Sequence, residues 1–133
     1  MLAVDTNVLV RFLTGDHKEQ AATATALFTA ESVWIAKTVL LETAWVLEDA
    51  YGFQQPAIYE AFTKTIGLEN VQIEDEPAVF AALALTEQGV SFADALHLSS
   101  WPSGCGFVSF DRMLVRRAHR AGIAEVSDLS AKT

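Results

Sequence analysis

Leu2-Ala-Val-Asp5, followed at once by Val8-Leu-Val10, Phe12 and Leu13 and closed by Thr14-Gly15, reads as a short strand that passes directly into a helix. The same alternation runs on through the chain. Asp16 stands where a second helix would be capped, and that helix runs to about residue 31 with Leu27 and Phe28 on its apolar side. Val33-Trp-Ile-Ala36 is β-branched and aromatic, as a second strand should be. The spacing predicts helices over 38–51, before Gly52, and over 56–66, then a strand at 71–73. Pro77 suits the first turn of a helix that ends at Gly89, and another helix follows over 92–100. A strand at 107–110, a helix at 112–121 and a strand at 123–126 complete the pattern. Short strands alternating with helices predict an α/β fold: a three-layer sandwich whose central, mostly parallel sheet of about five strands carries helices on both faces. In such sheets the working crevice lies beyond the carboxyl ends of the strands.

The chain has 133 residues, 51% of them hydrophobic and 20% charged, with a single cysteine, which excludes a disordered segment or a disulfide-built mini-domain. This length supports one sizeable core, so a single domain over 1–133 is expected. The longest uninterrupted apolar stretch, 78–85, is far short of the roughly 18 residues a spanning helix needs. The first residues carry no basic, apolar and cleavable succession of a leader, and Cys105 has no intrachain partner, so a cytoplasmic protein is expected.

Nine Lys and Arg stand against 17 Asp and Glu, a net charge of −8 that argues against general attraction to a polyanion. The distribution is uneven. Residues 1–90 hold 13 acids and 4 bases, whereas residues 91–133 hold 4 acids and 5 bases, four of them between Arg112 and Arg120.

Four acids sit among apolar residues rather than on a solvated face. Asp5 ends the first strand, Glu42 lies between Val39 and Trp45-Val46, Asp94 lies between Phe92-Ala93 and Ala95-Leu96, and Asp111 ends Phe107-Val-Ser-Phe110. Desolvating an unpaired carboxylate costs several kcal/mol (about 3 or more), so such a group is neutralised, paired or bound to a metal. Arg11, Lys18, Lys37 and Lys64 are the bases of the first 90 residues, and none belongs to the runs around Asp5 or Glu42. Carboxylates short of cations favour a hard divalent ion, Mg²⁺ or Mn²⁺. One Cys and three His, at 17, 97 and 119, offer no zinc-type spacing. Each of Asp5, Asp111 and the pair Ser91 and Asp94 also reads as a helix cap. Glu42 does not, because it lies past the capping position expected at Thr38.

Val4-Asp-Thr-Asn-Val-Leu9, Leu41-Glu-Thr-Ala-Trp-Val46, Phe92-Ala-Asp-Ala-Leu96 and Ser109-Phe-Asp-Arg112 together resemble the PIN-domain ribonucleases, most nearly the VapC-type toxins of prokaryotic toxin–antitoxin pairs. The resemblance covers essentially the whole chain, in order. It implies that Asp5, Glu42, Asp94 and Asp111 form an acidic quartet around Mg²⁺ or Mn²⁺, with Asn7 and Ser109 orienting carboxylates or touching substrate. It implies hydrolysis of RNA phosphodiesters by metal-activated water, leaving a 5′-phosphate and a 3′-hydroxyl, with Glu42 either a ligand or the group that positions the water. It also implies a homodimer and a small antitoxin partner that presents a basic side chain to the acidic pocket, with the helices of residues 16–51 as its docking groove. Two positions depart from the family pattern: Ser91, where members often carry another acid, and His97, where an aliphatic residue is usual.

Arg112, Arg116 and Arg120 recur at i, i+4 and i+8, a ridge that suits an RNA backbone or, alternatively, complements the negative end of its own helix. Trp34, Trp45 and Trp101 are expected in the core or an interface. The rival functions are a phosphoacceptor receiver domain, which would want a second acid beside Asp5, a phosphatase with Asp5 as nucleophile, and a catalytically idle PIN scaffold.

Overall fold

The computed structural model describes residues 1–132, with side chains to Ser130. The chain runs β1 (Leu2–Ala3), α1 (Thr6–Thr14), α2 (Lys18–Ala30), β2 (Val33–Ile35), α3 (Lys37–Asp49), α4 (Gln55–Ile66) and β3 (Val71–Ile73). It continues α5 (Glu76–Glu87), α6 (Phe92–Leu98), β4 (Phe107–Ser109), α7 (Arg112–Arg120) and β5 (Val126–Asp128), with a final 3₁₀ turn at Leu129–Lys132.

All strand pairs are parallel, as the alternation of strands and helices requires. Their hydrogen bonds form two ladders rather than one: β1-β2-β3, with Leu2 opposite Val33 and Val33 opposite Val71, and β4-β5, with Phe107 opposite Val126. Strands of two or three residues give each ladder few rungs, so side-chain burial between helices carries most of the cohesion. The largest fully buried side chains include Phe62 and Phe92, whose rings meet edge-on at 4.8 Å, a geometry that adds about 0.5–1.5 kcal/mol to the burial itself. Phe92 opens α6, so this contact anchors the helix that carries Asp94.

The helix ends correct several local expectations. Asp16 does not cap α2, because its carboxylate accepts from the Tyr51 hydroxyl (2.8 Å) and from the His17 backbone N–H (2.9 Å). His17 is the cap instead, held at φ 57° with Nδ1 accepting from Gln20 N–H at 3.3 Å. At its other end α2 has no glycine. Asn70 closes it from outside, its side-chain amide donating to the Phe28 and Glu31 carbonyls at 2.6 Å each. Gly15 ends α1 in the left-handed region, φ 70°, with its N–H on the Arg11 carbonyl.

α3 begins at Lys37, not Thr38, and no side chain of its own segment caps it. The carboxylate of Glu74, just past β3, accepts from the Lys37 backbone N–H at 2.8 Å. Nor is α3 buried all round. Leu40, Thr43, Ala44 and Leu47 form one buried stripe at helical spacing, and α3 packs through it against α1, α4 and α6, while Trp45 stays 48% exposed. β5 starts three residues later than the sequence suggests, since a turn at Ala121–Gly122 returns the Ile123 N–H to the Ala118 carbonyl before the strand begins.

Candidate active site

Asp5 leaves β1 and caps α1, its Oδ1 accepting from the Val8 N–H at 3.1 Å. One oxygen therefore closes the helix and Oδ2 stays uncommitted among the described residues. Glu42 projects from the exposed side of α3's second turn, and its Oε1 accepts a hydrogen bond from the Thr6 hydroxyl. Asp5 and Glu42 thus reach one cleft of about 290 Å³, lined also by Thr6, Asn7, Val39 and Val46. Asn7 is exposed on its wall and makes no side-chain hydrogen bond among the described residues.

Asp94 lies in the first turn of α6, half-buried, where the Ser91 hydroxyl caps the helix by accepting from the Asp94 N–H at 3.3 Å. Its carboxylate is left out of that cap. α6, which carries Asp94, packs on α3, which carries Glu42. Asp111 leaves β4 and caps α7, with Oδ1 accepting from the Met113 N–H at 3.0 Å and the Leu114 N–H at 3.1 Å. Ser109 turns the chain there, its Oγ accepting from the Asp111 N–H at 2.9 Å. The capping reading of Asp5 and Asp111 is therefore correct, and each cap uses a single carboxylate oxygen.

None of the four carboxylates is in an ion pair among the described residues. Their donor set is four hard-oxygen anions, which is what a hard divalent ion takes. The structure brings Asp5 and Glu42 together. Among the described residues, however, no three His, Cys, Asp or Glu side chains gather closely enough to hold an ion as a set. Uncompensated anions repel one another, and Asp111 stands on the second ladder, hydrogen-bonded separately from β1–β3.

The arginines of α7 are all exposed, opposite the buried Leu114, Val115 and Ala118. Among the described residues Arg112 is the one in an ion pair, with Nε 3.4 Å from Asp128 Oδ2. His97 is exposed. Trp101 packs beside Phe107 at 6.0 Å, and its buried indole N–H has no partner among the described residues.

Two features escape sequence reading. Thr6 serves Glu42 across 36 positions, and only its place directly after Asp5 hints at a role. Arg11 is held by three residues at once: Nε donates to Gln20 Oε1 at 3.0 Å, Nη1 donates to the Tyr51 hydroxyl at 3.1 Å and lies 4.0 Å from Asp16. The Tyr51 hydroxyl, beside the His17 N–H, holds the Asp16 carboxyl below its ordinary value.

No curated protein and no solved structure matches the chain. The family model described as PIN domain matches residues 2–120, a span that contains β1, Asp5, Glu42, Asp94, Asp111 and all of α7. With that match over most of its length, the chain belongs to the PIN domain family.

Proposed function

We propose that this protein is a divalent-metal-dependent ribonuclease that acts in the cytoplasm as the toxin of a toxin–antitoxin pair. PIN domains are generally nucleases, and they generally use divalent ions such as Mg²⁺. The observation that carries the reading is the meeting of Asp5 and Glu42 over one cleft, neither of them paired with a cation.

In this reading Asp5 Oδ2, Asp94 and Asp111 would hold the ion, Mg²⁺ or Mn²⁺, and Glu42 would join them or orient the attacking water, which requires the carboxylates to draw closer together than they stand among the described residues. A bound ion of this kind lowers the pKa of its water and offsets charge building on the phosphate oxygens. Thr6 fixes the Glu42 carboxylate through Oε1, leaving Oε2 for the site. Asn7 lines the cleft wall, which suits a contact with substrate, while Ser109 accepts from the Asp111 backbone N–H. Along α7, Arg116 and Arg120 have no ion pair among the described residues and would offer their guanidinium groups to an RNA backbone, and Arg112 would join them by leaving Asp128, whose side chain is half-buried. Each phosphate contact adds roughly −0.7 to the salt slope on a single strand.

An anionic site on a chain of net charge −8 also suits a basic segment of an antitoxin. The homodimer follows from the family resemblance, and the half-exposed Trp45 and Phe80 are apolar surface available to such contacts.

The test is RNA cleavage by the purified chain with Mg²⁺ or Mn²⁺, with excess chelator, and with Asp5→Asn and Asp94→Asn. Cleavage should require the ion and be lost in both variants while circular dichroism stays unchanged. Equal cleavage in chelator overturns the reading. Mapping of RNA 5′ ends after induced expression should show specific phosphorylated ends. Phosphotransfer to Asp5 would instead favour a receiver domain.

A further inference from the structure

A second cleft, of about 700 Å³, opens between α1 and α2 and meets the acidic cleft at Asp5 and Asn7, which line both. Its walls divide by chemistry. Val8, Ala24 and Leu27 supply an apolar surface, while Arg11, His17 and Thr23 supply polar groups. That volume lies within the range of sites for small molecules.

Arg11 is tethered where it borders this cleft. Gln20 and Tyr51 fix its Nε and Nη1, its side chain is only 25% exposed, and Nη2 has no partner among the described residues. A guanidinium already ordered by its neighbours binds a phosphate with less loss of side-chain entropy than a mobile one. His17 adds a second donor. Its Nδ1 accepts from the Gln20 N–H, which leaves Nε2 as the ring's donor. His17 borders the cleft at φ 57°, the left-handed conformation it takes as the cap of α2. Asp5 and Glu19 also line the cleft and Asp16 stands 4.0 Å from Arg11 Nη1, which together limit how much negative charge the cleft takes and favour a single phosphate with a neutral ring over a bare polyanion.

We propose that the α1–α2 cleft is a nucleotide subsite: it seats the RNA nucleotide next to the bond being cut, with the base against Val8 and Leu27 and its phosphate on Arg11. The assignment rests on the nuclease reading above and extends it to which nucleotide flanks the cut. The continuity of the two clefts at Asp5 and Asn7 is what places the subsite one step from the reacting phosphate.

The experiment titrates the four ribonucleoside 5′-monophosphates, ribose 5-phosphate and inorganic phosphate into the full chain, following the Val8 and Leu27 methyl signals by NMR. At least one mononucleotide should give saturable shifts there, with ribose 5-phosphate and phosphate binding about tenfold more weakly. Thr23→Trp, at an exposed position on the cleft wall, should weaken mononucleotide binding by about tenfold, and Arg11→Gln should do the same, with Arg11→Lys between. The same proteins are then compared for cleavage of RNAs that differ in one base beside the cut, where Thr23→Trp should flatten the preference.

Methyl signals that ignore mononucleotides, equal binding of ribose 5-phosphate, or unchanged affinity in both Thr23→Trp and Arg11→Gln overturn the subsite. A silent nucleotide titration would leave the cleft to a protein partner. Wild-type protein that takes nucleotide here yet cuts no RNA overturns the nuclease reading alone. RNA cleavage with an unaltered base preference in Thr23→Trp overturns the subsite alone.

Discussion

The Thr6 hydroxyl donates to Glu42 Oε1, tying the first residue of α1 to the second turn of α3. Because Asp5 caps α1 one residue earlier, this single bond sets the position of one acid relative to the other. Replacing Thr6 by Val removes the hydroxyl while keeping the branched shape. We expect RNA cleavage to fall about tenfold. Stability should change by no more than about 1 kcal/mol, as for an ordinary hydrogen bond between exposed partners. Single-turnover rates and a thermal melt check the two halves, and an unchanged rate would remove Thr6 from the site.

Asp111 performs two tasks that substitution can separate. Asn caps a helix as well as Asp, whereas Ala costs about 1 kcal/mol. Asp111→Asn should therefore keep the urea midpoint and lose cleavage, and Asp111→Ala should lose both. Equal activity in Asp111→Asn and wild type would reduce the residue to its cap on Met113 and Leu114.

Phe92→Ala removes a fully buried ring and its edge contact with Phe62. A loss of about 3–5 kcal/mol is expected from urea unfolding, through the cavity left between α4 and α6. Since the residue begins α6, local amide exchange around Asp94 should quicken before global unfolding.

The Asp16 carboxyl is held below its ordinary value of 3.8 first by the Tyr51 hydroxyl, and Asp75 below the same value first by the Lys37 ammonium at 2.8 Å. A carboxyl that is more acidic folded than unfolded adds stability above its unfolded pKa and loses it as pH falls through the folded one. Stability should therefore decline on acidification from about pH 4 downward. Tyr51→Phe should return the Asp16 titration, followed by carboxyl NMR, toward 3.8 while leaving Asp75 in place. An unmoved Asp16 would show that the His17 N–H, not the phenol, sets its acidity.

Much of this architecture is written in stretches of a few residues. The alternation of β-branched runs with helical spacing, the cap at Asp111 and the Ser91 cap of α6 all depend on groups within one helical turn, so residue order alone announces them. Apolar neighbours in sequence likewise singled out Asp5, Glu42, Asp94 and Asp111, all within the PIN domain match, but the fold leaves Asp5, Glu42 and Asp111 exposed and Asp94 half-buried, so the desolvation those neighbours suggested is not imposed. Packing settled the rest. Glu74, not Thr38, satisfies the start of α3, His17 displaces Asp16 as a cap, and the strands join as two ladders. Asp5 shares a cleft with Glu42, and Arg11 is braced by Tyr51 across 40 positions. A backbone turn is satisfied by atoms already adjacent in the polymer, but a side chain's distant partner depends on how helices cross, and that angle emerges only when their buried faces meet.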